Sequence, residues 1–195
     1  QIIKSLVKDK HFDVVVNLGC GNDTDKEGGY YSDYFDADKV IKIDPNPTLK
    51  GLDYIAGSED MPLKNKSADL VFLNWVFIPD DPSVDISIQT SIIEIARVLK
   101  TGGRALISLA DASEGHMTSF GKVKGMLSPY FDLEDEVFYH TENDVYLREP
   151  IDWHATYLML VKKEGRKIFI DGGAHDGCSA RKYRAVYDPD CECEI

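Results

Sequence analysis

Positive charge is scarce in this 195-residue chain: 22 Lys and Arg stand against 34 Asp and Glu, a formal net charge of −12. Nucleic-acid binding needs clustered Lys and Arg, so no nucleic-acid partner is expected. No apolar run approaches the ~20 residues of a helical membrane span, and no stretch has the pattern of a secretory leader, so no membrane partner is expected either. The four cysteines do not make a disulfide framework: Cys20 lies among glycines, and Cys191 and Cys193 sit at the extreme end. A reducing, cytoplasmic setting is the expectation. Metal ligands are also wanting. Cys191-Glu192-Cys193 has no partner pair for zinc. Asp23-x-Asp25-x-Glu27-Gly28 starts like a calcium loop but has Tyr34 where a bidentate Glu is required. No metal is expected. No internal repeat of solenoid length is present. The length suits one α/β domain with a sizeable core.

What is present is strand-and-glycine punctuation. Val14-Val15-Val16 is an unbroken β-branched run, as in a strand covered on both faces. Asn17-Leu18-Gly19-Cys20-Gly21 follows at once, and its glycines permit a tight turn and close approach of a ligand. About twenty residues on, Val40 to Ile43 give a second strand ending in Asp44, placed as a ribose-binding acid would be. Asn22, Asp23, Asp25 and Glu27 follow the glycines with only Lys26 among them. A pyrophosphate would be repelled there, since phosphate sites use backbone amides away from carboxylates. The third glycine of the dinucleotide fingerprint is missing. S-adenosylmethionine, with no phosphate and a cationic sulfonium, suits such a loop. An NAD-dependent oxidoreductase is accordingly disfavoured.

The chain at this point resembles the class I S-adenosylmethionine-dependent methyltransferases, over roughly residues 11–163. The resemblance rests on Asn17-Leu18-Gly19-Cys20-Gly21, on Asp44-Pro45, and on Ser58-Glu59-Asp60-Met61-Pro62-Leu63. It continues in the strand from Ser67 to Phe72, in Arg97-Val98-Leu99-Lys100-Thr101-Gly102-Gly103, and in the strand from Arg104 to Leu109. It implies a Rossmann-like doubly wound α/β fold, mostly parallel, with an antiparallel C-terminal strand pair. It also implies S-adenosylmethionine as cofactor, held by Asn17, Gly19, Cys20, Gly21, Asp44, Pro45, Ser58, Glu59 and Asn74. Two positions depart from the family pattern: Asn17 stands where Asp or Glu is usual, and Gly57 where an Asp often contacts the adenine. Glu59 is the candidate to take over that contact.

The remaining elements follow from periodicity. Residues 2–9 read as an apolar-striped helix, 13–18 as strand one, 22–29 as an acidic loop, and Tyr30 to Phe35 as a short helix. Residues 40–44 and 69–74 read as strands, and Ile86 to Leu99 as an amphipathic helix after the Asp80-Asp81-Pro82-Ser83 start signal. Strand five covers 104–109, residues 111–129 show no clear period, and 130–139 with 155–163 read as a late strand pair. Lys167 to Gly177 resembles the opening of an FkbM-type methyltransferase domain. The expected organisation is therefore residues 1–164 as one domain and 165–195 as the start of a second, in a piece of a longer protein; the alternative is a strand and helix that complete the first domain.

Methyl transfer needs mainly in-line positioning, helped by a base when the acceptor is a hydroxyl. Acceptor residues in such folds come from the C-terminal strand ends. The candidates are Asp80, Asp111 and His116 as catalytic groups, with Asn74 and Trp75 nearby, and with Tyr30 and Tyr31 closing the cofactor side. The expected activity is methyl transfer to a small-molecule or saccharide hydroxyl; a homodimer is left open. The alternative is a non-catalytic cofactor-binding module attached to a second, catalytic domain.

Overall fold

The computed structural model describes residues 2–23, 29–74, 76–77, 82–111, 117–141 and 153–164. The Asp80, Trp75 and His116 assignments, and the whole 165–195 segment, lie outside them.

The elements run α1 (Ile2–Val7), β1 (His11–Leu18), a 3₁₀ turn (Tyr31–Tyr34), β2 (Asp36–Asp44), β3 (Tyr54–Ile55), β4 (Ala68–Asn74), α2 (Pro82–Val98), β5 (Leu99–Asp111), α3 (Met117–Leu127), β6 (Phe131–Thr141) and β7 (Trp153–Lys162). The strands form one seven-stranded sheet in the order β3-β2-β1-β4-β5-β7-β6. β1 pairs parallel with β2 and β4, β2 with β3, and β4 with β5. β7 runs antiparallel to both β5 and β6. This is the doubly wound, mostly parallel α/β sheet with an antiparallel end that the sequence predicts.

The β-branched and aromatic runs are unbroken because the central strands are covered on both faces. Val15, Leu70, Phe72 and Leu106 face α1 and the 3₁₀ turn, packed with Ile3, Leu6, Phe12 and Phe35. Their chain neighbours Val16, Val71, Leu73 and Ile107 face α2 and α3, packed with Ile88, Ile92, Ile95, Val123 and Leu127. Alternation along each strand thus feeds two apolar layers. Each fully buried Leu or Ile contributes about 1.5–3 kcal/mol relative to exposure.

Three expectations change. Strand five begins five residues earlier than expected, at Leu99 rather than at 104. α2 stops at Val98 and β5 starts at the next residue. Ala68 pairs with Leu99 but Leu70 pairs with Arg104, so the intervening residues bulge out of β5. Gly102, at φ +72°, supplies the left-handed step in that bulge. The stretch 111–129, without a clear period in sequence, holds α3, whose Val123 and Leu127 reach the core. A two-residue edge strand, β3, follows the prolines after β2.

The chain passes from β1 outward through β2 to β3 and then returns to β4 on the other side of β1. The strand order reverses between β1 and β4, and the crevice at their C-terminal ends is where open α/β sheets bind ligands.

Candidate functional site

The glycine turn is built at that crevice. Gly19 and Cys20 both donate their amides to the Ile43 carbonyl, at 2.8 and 3.2 Å, tying the end of β1 to the end of β2. Gly19 sits at φ +65°, and a Cβ there would stand 2.5 Å from Val76 Cγ2. Only glycine satisfies both conditions. Gly21 is at φ +52° with open space around it, so its need for glycine is conformational alone.

Asp44 is buried and holds the turn from the β2 side. Its Oδ2 accepts from the Gly21 amide at 2.8 Å and its Oδ1 from the Asn46 amide at 2.9 Å. Both are charge-assisted bonds to backbone donors.

Leu18, Gly19, Pro45, Ala56, Gly57, Ser58, Glu59 and Val76 line a cleft of about 140 Å³. Pockets that enclose a drug-sized ligand measure roughly 300–1,000 Å³, so this cleft has room for only one end of such a ligand. Among the described residues its lining contains one carboxylate and neither Lys nor Arg. The Glu59 carboxylate lies directly over Gly57: a Cβ at position 57 would be 2.5 Å from Oε2 and 2.6 Å from Oε1. The absent side chain at 57 is what gives Glu59 its place. Ser58 is fixed to α2 by an Oγ–Oγ hydrogen bond to Ser91 at 2.7 Å.

A buried clamp supports this wall. Arg97 donates from Nη2 to the Met61 carbonyl at 2.9 Å and to Glu94 Oε2 at 2.7 Å. It also donates from Nη1 to the Leu63 carbonyl and Asn65 Oδ1, and from Nε to Glu94 Oε1. Glu94 in turn accepts the Met61 amide at 3.2 Å. The clamp locks residues 61–65, and with them the Ser58–Glu59 segment, onto the last turn of α2. In the sequence, Glu94 at i−3 from Arg97 is the signal for this pairing.

Beneath the glycine turn, Asn17 is 2 % and Asp23 3 % exposed. Asn17 Nδ2 donates to Asp23 Oδ1 at 2.7 Å. Lys42 Nζ lies 2.6 Å from Asp23 Oδ2. Ser32 donates its amide to Oδ1 at 3.2 Å and its hydroxyl to Oδ2. The hydrogen bond from Lys42 itself to Asp23 holds the Lys42 ammonium above its ordinary 10.5. Burial, aided by Asp44 and Asp23, pushes the Cys20 thiol up to about 11, so it stays a neutral thiol at physiological pH.

Among the sequence candidates, Gly19, Pro45, Ser58 and Glu59 therefore share one cleft, and Asn17, Cys20, Gly21 and Asp44 form the turn beside it. Asn74 ends β4, where its Oδ1 accepts from Ser108 Oγ at 2.7 Å. Asp111 ends β5, and its register partner on β7 is His154, whose own partner on β6 is His140. Tyr31 does not close the cleft: its ring packs on Phe72, centroid to centroid 5.7 Å, in the opposite apolar layer. Tyr30 stands exposed with Lys42 Nζ 5.7 Å from its ring centroid. Asp23 and Lys42 were not assigned from sequence as site residues, because nothing in their spacing announces that they meet.

No protein-family model matches the chain, and no curated protein sequence matches it. Solved structures do. The fold is similar to a Bacillus halodurans protein assigned as a methyltransferase, with TM-score 0.60 and 15 % identity over 83 % of this chain and 97 % of that one. It is similar to a Listeria monocytogenes protein assigned as an S-adenosylmethionine-dependent methyltransferase, with TM-score 0.56 and 14 % identity over 84 % and 97 %. The N-methyltransferase NodS from Bradyrhizobium japonicum matches with TM-score 0.56 and 12 % identity over 81 % and 92 %. At such low identity these superpositions show a shared Rossmann-like fold and nothing beyond the fold.

Proposed function

We propose that this chain is an S-adenosylmethionine-dependent methyltransferase that acts on a hydroxyl of a small molecule or glycan. The observation that carries the reading is the cleft itself. It is open at the strand-order reversal, walled by a glycine turn, and its described lining residues include a carboxylate and no Lys or Arg. An adenosine ligand without phosphates fits that chemistry; a pyrophosphate does not.

The residues present fit the cofactor. Glu59, whose carboxylate bonds to no described residue, accepts from the adenine amino group in place of the side chain missing at Gly57. Asp44, with two lone pairs used by backbone amides, has acceptor capacity left for the ribose hydroxyls. Asn17 Oδ1 takes the ammonium group of the amino-acid end. When bound, S-adenosylmethionine supplies an electrophilic methyl group on a good leaving group. The chain's own work is then to orient the acceptor and exclude water. By its position at the end of β5, Asp111 is the described candidate for holding the acceptor's proton; Asp80 and His116 are the others. The choice of a hydroxyl, and of a glycan, is supported by the FkbM-like segment at 167–177.

Calorimetric titration tests the reading. S-adenosylhomocysteine should bind at micromolar concentration, and NAD at least tenfold more weakly. Tighter binding of NAD, or no binding of S-adenosylhomocysteine by a folded chain, would overturn it. Transfer of a labelled methyl group to saccharides and to amines then separates hydroxyl from amine acceptors.

A further inference from the structure

We infer that Asp23 is the positioning residue for the amino-acid end of the cofactor, carrying from six residues away the charge that Asn17 lacks. The inference rests on the reading of the cleft as an S-adenosylmethionine site.

A carboxylate only accepts hydrogen bonds, whereas an amide has one accepting and one donating end. Because Asp23 Oδ1 accepts from Asn17 at 2.7 Å, the Asn17 amide is fixed with Nδ2 toward Asp23 and Oδ1 turned away. That Oδ1 belongs to a side chain only 2 % exposed, and no described residue donates to it. A buried acceptor without a donor is costly, so the position is completed by a donor that comes with the ligand.

Asp23 is itself held at one geometry. Its backbone adopts φ +56°, uncommon outside glycine, with its amide donating to the Cys20 carbonyl at 2.7 Å. Its carboxylate accepts from Asn17, from Ser32 twice and from Lys42, which fills its lone pairs. The anion therefore cannot turn toward the ligand directly. It acts through Asn17: it polarises the amide and dictates which end faces the ammonium. Lys42 sits on the far oxygen and compensates the buried charge. The pair also fastens the loop after the glycines to β2, two residues before Asp44.

Two ligands separate this role from a merely structural one. S-adenosylhomocysteine has the amino-acid end; 5′-methylthioadenosine has the same adenosine and thioether without it. Asp23→Asn keeps the size of the side chain but lets either end of the Asn17 amide face the ligand. By calorimetry, Asp23→Asn should bind S-adenosylhomocysteine about tenfold or more weakly. Its affinity for 5′-methylthioadenosine should stay within about twofold of the unaltered chain. Equal losses for both ligands would overturn the inference. Failure of the unaltered chain to bind either ligand would instead overturn the cofactor reading itself.

Melting temperatures are recorded alongside. If Asp23→Asn is unfolded, the exchange Asn17→Asp with Asp23→Asn carries the test, because it restores an acid–amide bond with reversed polarity. It should recover S-adenosylhomocysteine binding to within about threefold of the unaltered chain, whereas Asn17→Asp alone, with two adjacent carboxylates, should not. If the exchange binds no better than Asn17→Asp, or also fails to fold, Asp23 serves the fold alone and the inference falls.

Discussion

β1 and β2 carry charged clusters at both of their ends, and the two clusters differ in kind. At the N-terminal end, His11 Nδ1 lies 3.2 Å from Asp36 Oδ1 and Nε2 3.5 Å from Asp38 Oδ1. Nearby, Lys100 bridges Asp13 and Asp69 at 2.9 and 2.8 Å. These side chains are 24–78 % exposed, so water and salt screen them. At the C-terminal end, the Asp23 side chain is 4 % exposed and its carboxylate is met by donors on every side. Both ends pair a lysine with aspartate, at similar distances. What differs is the cost of removing a partner. In water the survivor is rehydrated; beneath the glycine turn it is left as a buried charge. Charge at one end of the sheet is surface, and at the other it is architecture.

The largest effect should come from the clamp behind the cleft. Arg97→Ala leaves Glu94 buried without its guanidinium and should cost about 3–5 kcal/mol in urea unfolding. A loss below 1 kcal/mol would put this pair in the exposed class. Next is Gly19→Ala, which must meet Val76 and hold a left-handed φ. It should cost about 2–4 kcal/mol, against about 1 kcal/mol for Gly21→Ala, whose surroundings are open.

The sharpest comparison pairs one lysine from each end. Lys42→Met should destabilise by about 2–3 kcal/mol, because Asp23 stays buried. Lys100→Met should cost no more than about 1 kcal/mol and lose even that in high salt. Equal costs would dissolve the distinction.

The smallest effects are in pH. Cys20 and Lys42 both have raised values in the folded chain, so the stability they contribute is fully present below their ordinary values of 9.0 and 10.5. It is lost as pH rises through about 11 and beyond. Denaturation midpoints should therefore fall between pH 9 and 11, and Cys20→Ser should remove part of that fall. At the other end, the Asp36 hydrogen bond holds His11 above 6.5. Its contribution is present below 6.5 and disappears as pH rises through the raised value. Asp36→Asn should return the histidine NMR titration toward 6.5 without a detectable change in melting temperature.

Much of the architecture was legible because it is carried by local runs. Val14 to Val16 and Leu70 to Leu73 announce strands covered on both faces, and the glycines after β1 mark the turn. The cleft was legible in part: Gly19, Pro45, Ser58 and Glu59 are scattered in sequence and meet on one wall. What escaped has a common cause. Asp23 and Lys42 are nineteen residues apart, and no period links them; only the β1–β2 register and the positive φ at Asp23 bring them together. α3 escaped because Gly121 and Gly125 dilute its helical signal, while its apolar contacts come from a few residues such as Val123 and Leu127. β3 escaped because two exposed residues, Tyr54 and Ile55, are too few to show alternation.

The proposed S-adenosylmethionine site at the C-terminal ends of β1, β2 and β4 is best tested by a crystal structure of the chain with S-adenosylhomocysteine. The adenine should lie between Pro45 and the Ser58–Glu59 wall, with the Glu59 carboxylate on its amino group and Asn17 Oδ1 on the ammonium. Ligand density anywhere else, or an adenine that leaves Glu59 unengaged, would contradict it.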